Sequence, residues 1–327
     1  MTYSSGIGSM PGGTLGAELD NARSFDEAQR VVMGETSIPH LVELPGRGAI
    51  ASMTGRTLGL ITDLGFDLQP AGWRLSSRGI DQRRAASLVA QDLDVVSQID
   101  VTGLFKIQIT GPWTLAAGVE KPKGDRILSD VGARRDLGQA LAAAAATHIA
   151  DVRRRLPNAT LLVQIDEPAL PAVMAGQVPT ASGFHRHRSV DAPVASAGLE
   201  PVLAAVAEAG GVPIVHCCAS DVPVELLRGA GAQGVSFDLG IVAASAYDQI
   251  AVSLEAGDWV FLGVVPSTDS VLDAKAVTAR AMRFFDMVGL APTPTTVLTP
   301  TCGLAGATPE YARRALELAA AAASSCS

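Results

Sequence analysis

The chain has 327 residues, 48% of them hydrophobic and 18% charged, enough to bury a large core in one big domain or two modest ones. Its 25 basic against 33 acidic residues leave a net charge of −8, and aromatics are only 4%, so the basic surface of a nucleic-acid binder is missing. No run of about 20 apolar residues is present to span a membrane and the start lacks the pattern of a signal peptide, so a cytoplasmic protein is expected.

Taken in chain order, short apolar or β-branched runs bounded by Gly and Pro alternate with longer segments of helical period, the pattern of β/α units around a parallel sheet. Eight strands are predicted, near Gly6–Ser9, His40–Glu43, Leu104–Thr110, Leu161–Asp166, Pro213–Cys218, Gly234–Asp238, Val260–Val265 and Thr296–Cys302. Helices are predicted over Asp81–Ile99, Arg134–Leu156, Leu199–Ala209, Pro223–Gly229, Ala246–Glu255, Leu272–Val288 and Pro309–Ala322, with caps at Ser24, Asp221 and Thr308. Gly176–Ser196 reads as a loop. Eight such strands without a phosphate-binding glycine loop after the first favour an α/β fold of the single (β/α)8 barrel type, one domain over 1–327, above an open doubly wound sheet.

In a barrel the C-terminal strand ends meet at one mouth. Ser9, Glu43, Asp166 with Glu167, His216 with Cys218, Asp238 and Cys302 all stand there. Side chains alternate along a strand, so His216 and Cys218 share a face and Cys217 takes the other. Cys302 and Asp238 would complete a tetrahedral N, S, S, O set suited to Zn²⁺, with buried small thiols and a core histidine as the plainer alternative. Asp166 and Glu167, stiffened by Pro168, suit acid/base work or the binding of an amine, or else a helix cap. Arg47 reads as a surface salt-bridge residue or a partner for Glu43.

Together these segments resemble the catalytic barrel of the cobalamin-independent methionine synthase family. The matching blocks are Ile7-Gly8-Ser9-Met10-Pro11, Glu43, Gly111-Pro112-Trp113-Thr114-Leu115, Gln164-Ile165-Asp166-Glu167-Pro168, His216-x-Cys218 and Cys302-Gly303-Leu304. The resemblance implies a zinc enzyme that activates a thiol for methylation, with His216, Cys218 and Cys302 as ligands. Ser9, Glu43 and Asp166 would hold the amino-acid part of homocysteine.

The departures carry information too. Asp238 stands where the family has glutamate, Gly118 where a tryptophan stacks on pterin, Ala172 where a carboxylate orients it, and Thr268 where a histidine supplies a proton. Arg78 matches a folate-contacting arginine only loosely. His185 and His187 are the candidates for the missing proton donor, against a plain surface role. The family's second, N-terminal barrel is expected to be absent. The short, single-barrel members that this chain resembles take methyl from a corrinoid, so a methylcorrinoid or corrinoid protein is the expected donor. The rival readings are a metal-free barrel of the uroporphyrinogen-decarboxylase type and a non-catalytic zinc- or thiol-binding protein.

Overall fold

The computed structural model describes residues 2–14, 18–77 and 79–326, which leaves Arg78 outside. The elements in chain order begin with β1 (Tyr3–Ser4), α1 (Glu18–Glu35), α2 (Met53–Leu60), β2 (Phe66–Gln69), β3 (Gly72–Leu75) and α3 (Ile80–Val96). Next come β4 (Gly103–Thr110), α4 (Pro112–Gly118), α5 (Val131–Arg155), β5 (Ala159–Asp166), α6 (Leu170–Met174) and α7 (Ala192–Glu208). The last set is β6 (Val212–Cys217), α8 (Val224–Gly229), β7 (Gly234–Asp238), α9 (Tyr247–Glu255), β8 (Trp259–Val265), α10 (Ala274–Val288), β9 (Thr296–Pro300) and α11 (Pro309–Ser325).

Among the described residues, seven strands form one curled parallel sheet in the order β1-β9-β8-β7-β6-β5-β4. The residues that point toward the helices, such as Leu161, Val163, Ile165, Val215 and Cys217, join the main core, which those helices cap with their own apolar faces. The opposite face of the sheet holds a small layer of Ile38, Leu162, Ile214, Phe261 and Val297. Above that layer the same face turns polar, and this is where the chemistry lies.

The first two predicted strands need correction. Strand β1 is Tyr3–Ser4 rather than Gly6–Ser9, and His40–Glu43 forms isolated bridges, His40 with Lys106 and Glu43 with Ser9. Pro39 has no N–H and the two bridges pair with different neighbours, so no continuous ladder runs through this segment. It nevertheless bonds to both sheet edges. Ile38 N–H donates to Ser4 O (2.9 Å) and Glu43 N–H to Gly8 O (3.1 Å), while Leu41 N–H and the Lys106 carbonyl join it to β4 (2.9 Å).

Most predicted helices fall within a few residues of those found, and the Thr308 cap accepts from Tyr311 N–H at 3.2 Å. Ser24, by contrast, lies inside α1, and α8 starts after Pro223 with no side-chain cap. Helix α7 begins at Ala192, inside the predicted loop, and carries Pro201 within it. Gly198 is what the site demands there, because a Cβ would lie 2.6 Å from the Trp113 ring. The β2–β3 hairpin, joined by the two-residue turn Pro70-Ala71, adds two strands to those predicted, and the Phe66/Leu68 alternation beside that turn signals it.

Candidate metal centre and substrate site

Strand register lines up Asp166 with His216 and His216 with Ser236 across β5, β6 and β7, all on the helix-free face. Cys218 follows just past β6, and Cys302 just past β9. The ligand atoms of His216, Cys218 and Cys302 lie within 4.8 Å of one another, a group that could hold a metal ion. The two sulfurs are 3.4 Å apart. Cys217 faces the other way into the main core, as alternation requires.

The ring of His216 is fixed by Ser236, whose Oγ lies 2.8 Å from Nδ1. With Nδ1 as donor to that hydroxyl, Nε2 presents a lone pair. That Nε2 is buried and has no hydrogen-bond partner. An orphaned imidazole nitrogen beside two thiols suits a soft, tetrahedral cation. The Sγ–Sγ contact with Cys218, helped by His216 and opposed by burial, holds Cys302 down to about 4. Its partner Cys218 is pushed up by the same contact and by burial. Asp238 stands apart from this three-residue group. Its Oδ1 accepts from Gly240 N–H at 2.7 Å, and burial raises its carboxyl despite that bond.

The three expected substrate-binding residues border the cluster. Ser9 reaches Cys302-Gly303: a Cβ on Gly303 would lie 2.0 Å from Ser9 Oγ, so only glycine fits beside it. The bridge between Ser9 and Glu43 brings in the first carboxylate, and Asp166 is the register neighbour of His216. Burial raises Asp166 to about 7, against the pull of His216, and raises Glu43 against the pull of Arg56, whose Nε is 3.7 Å from Oε1. Two buried carboxylates that repel each other favour a nearby cation, and the buried ammonium of Lys106 interacts electrostatically with both.

Other readings resolve differently. Glu167 is a buried cap for α4, accepting from Trp113 N–H (2.9 Å), Thr114 N–H (2.8 Å) and Thr114 Oγ1 (2.6 Å). Arg47 is no surface residue; it is buried and bidentate to Asp92, both contacts at 2.7 Å, and Arg56 pairs with the same carboxylate. His185 is exposed, while His187 is buried with Nε2 3.2 Å from Asp125. Thr268 is exposed, Ala172 packs on the core, and a Cβ at Gly118 would meet nothing within 4 Å. The sequence reading overlooked Ser236 and Gln164, which share strand parity with Asp238 and Asp166, and Lys106, on a strand from which it selected no residue.

The sequence matches the family described as cobalamin-independent synthase, catalytic domain, over residues 80–325. The chain belongs to that family. No curated relative matches it. Among solved structures the chain is similar to oxaloacetate acetylhydrolase in complex with 3,3-difluorooxalacetate, at 13% identity and a TM-score of 0.40 over 94% of this chain and 78% of that one. It is similar also to D-psicose 3-epimerase in the presence of D-fructose, at 10% identity and a TM-score of 0.39 over 73% of this chain and 82% of that one.

Proposed function

We propose that this family member is a zinc-dependent methyltransferase acting on an amino-acid thiol, homocysteine or a close relative, with a corrinoid rather than a folate as methyl donor. The observation that carries the reading is the group of His216, Cys218 and Cys302 with the buried, unpartnered Nε2 of His216. These residues would hold the ion, with Asp238 as a nearby carboxylate. A Zn²⁺ bound there would supply the acidity that keeps a substrate thiol deprotonated at neutral pH. The seven-stranded sheet and the 38–43 segment that bonds to both its edges fit a closed (β/α)8 barrel, with this mouth at the C-terminal end. Two free thiols 3.4 Å apart also fit a reducing, cytoplasmic compartment, because oxidation would destroy the ligand pair.

Within this reading the chain's own groups do three things. Ser236 holds the His216 ring in its ligating tautomer. Glu43 and Asp166 accept the substrate's ammonium, and Ser9, beside Gly303, serves its amino-acid end. The methyl donor must then approach from the open mouth. Gly118, Ala172 and Thr268 supply neither a stacking ring, an orienting carboxylate nor a proton. A folate nitrogen needs that proton to leave, whereas a corrinoid metal leaves without one. The corrinoid is expected as a free cofactor or on a partner protein.

The test is zinc analysis combined with a thiol titration in buffers of different ionisation enthalpy. Stoichiometric zinc and release of a proton on homocysteine binding support the proposal. A metal-free protein would point instead to the decarboxylase-type barrel. Zinc with thiol binding, but no turnover with either donor, would point to a non-catalytic thiol-binding protein.

A further inference from the structure

Lys106 sits in the middle of β4 with its side chain fully buried. Its ammonium donates to Ile7 O (2.7 Å) and to Gln164 Oε1 (2.8 Å). Gln164 in turn donates through Nε2 to Ile7 O (3.0 Å) and to Asp166 Oδ1 (2.7 Å). The chain of contacts thus runs from Lys106 through one amide to the carboxylate expected to meet substrate.

The polarity of this chain is forced. An ammonium only donates and a carboxylate only accepts, so the amide between them has one favourable orientation. Oε1 must face Lys106, and then Nε2 must face Asp166. Reversing the amide would set donor against donor and acceptor against acceptor. Asp166 Oδ1 is thereby engaged along its own strand, which leaves Oδ2 for an incoming cation. The Ile7 carbonyl accepts from both donors, and Ile7 lies two residues before Ser9, so the same pair also pins the segment that carries Ser9. A fully buried lysine is costly, and an apolar residue would fill this strand position at less expense, so its retention calls for a task.

We propose that Lys106 and Gln164 are positioning residues that aim Asp166, and through Ile7 the Ser9 segment, at the ammonium end of the substrate. This rests on the amino-acid-thiol reading above.

The experiment compares the zinc-loaded wild type with Lys106→Met and Gln164→Glu. Calorimetry gives the affinity of each for homocysteine and for 4-mercaptobutanoate, which has the same thiol and chain but no amino group. Gln164→Glu keeps an acceptor for Lys106 and removes the donor to Asp166, so it decides the matter if Lys106→Met fails to fold. Both variants are expected to lose preference for the amino-bearing thiol by roughly 10- to 100-fold, the range for a charge-assisted hydrogen bond, with zinc content and 4-mercaptobutanoate affinity unchanged. Undiminished preference in variants of a discriminating wild type would overturn the positioning role alone. So would equal loss of both thiols together with zinc, which would mark a merely structural role. A wild type that binds both thiols equally would instead overturn the amino-acid-thiol reading, and the positioning role with it.

Discussion

Asp92→Asn is the sharpest test of how Glu43, one of the two carboxylates proposed to meet substrate, is supported. Asp92 is buried between Arg47, which holds both its oxygens at 2.7 Å, and Arg56, whose Nε also lies 3.7 Å from Glu43 Oε1. These four buried charges, two of each sign, cancel. Neutralising Asp92 leaves an unbalanced guanidinium in the interior, a change that costs about 3–5 kcal/mol when one partner of a buried pair is removed. Asparagine keeps one acceptor oxygen, which places the expected loss near the lower end, about 3 kcal/mol. In urea that is a fall in midpoint of about 1 M, taking a slope near 3 kcal/mol per molar. Freed from Asp92, Arg56 should turn fully to Glu43 and weaken ammonium binding as well. Charge balance also predicts that Arg47→Met in the Asp92→Asn background restores part of the lost stability, because Arg56 and Glu43 then remain as a matched pair. A single variant within about 1 kcal/mol of wild type, or a double variant as unstable as the two singles added, would refute the argument.

Cys218→Ser and Cys302→Ser should each abolish zinc retention measured after dialysis, while Cys217→Ser should retain the metal; equal loss in all three would sink the strand-face assignment. Glu43→Gln and Asp166→Asn should each weaken homocysteine binding by about 1.5–3 kcal/mol in calorimetry, the worth of a hydrogen bond to a charged group. Burial raises Glu167 from 4.5 to about 7, although its three donors pull the other way, so between those values the folded protein holds a proton that the unfolded chain has released. Its contribution to stability is therefore fully present below about 4.5 and is lost as pH rises toward 7, and the stability of wild type relative to Glu167→Gln should fall over that window; a gap that widens with pH would contradict the assignment. Methylation of homocysteine by methylcobalamin should exceed that by methyltetrahydrofolate under matched conditions, and robust folate turnover would show that the losses at Gly118, Ala172 and Thr268 are compensated.

The legible part of the site was the part governed by strand parity. His216 and Cys218 share a face because they stand two positions apart, Cys217 is excluded by the same rule, and Thr308 caps a helix because its neighbours Pro309 and Glu310 suit the first turn. Parity also marked Gln164 and Ser236, two residues before Asp166 and Asp238, but glutamine and serine within an apolar run carry no chemistry until a partner is known. Lys106 was hidden for the opposite reason: a lysine reads as exposed unless the sheet around it is known to be buried on both faces. Arg47 was assigned to the surface because its partner Asp92 lies 45 positions away on another element. His40–Glu43 reads as a strand from its composition, yet its backbone touches each neighbour at separate bridges, a matter of geometry that residue type does not encode.

The pairing of β1 with β9, and of Cys218 with Cys302 across 84 positions, fixes an order of assembly. As the chain emerges from the ribosome, His216 and Cys218 appear long before Cys302, the third proposed ligand, and Ser9 waits for Gly303, made far later, as the glycine it packs against. A half-formed site offers an ion only two donors, so premature metal capture by the nascent chain is weak, and metal loading becomes a report on completed folding. A ribosome-bound chain stalled before residue 302 should therefore fail to retain zinc.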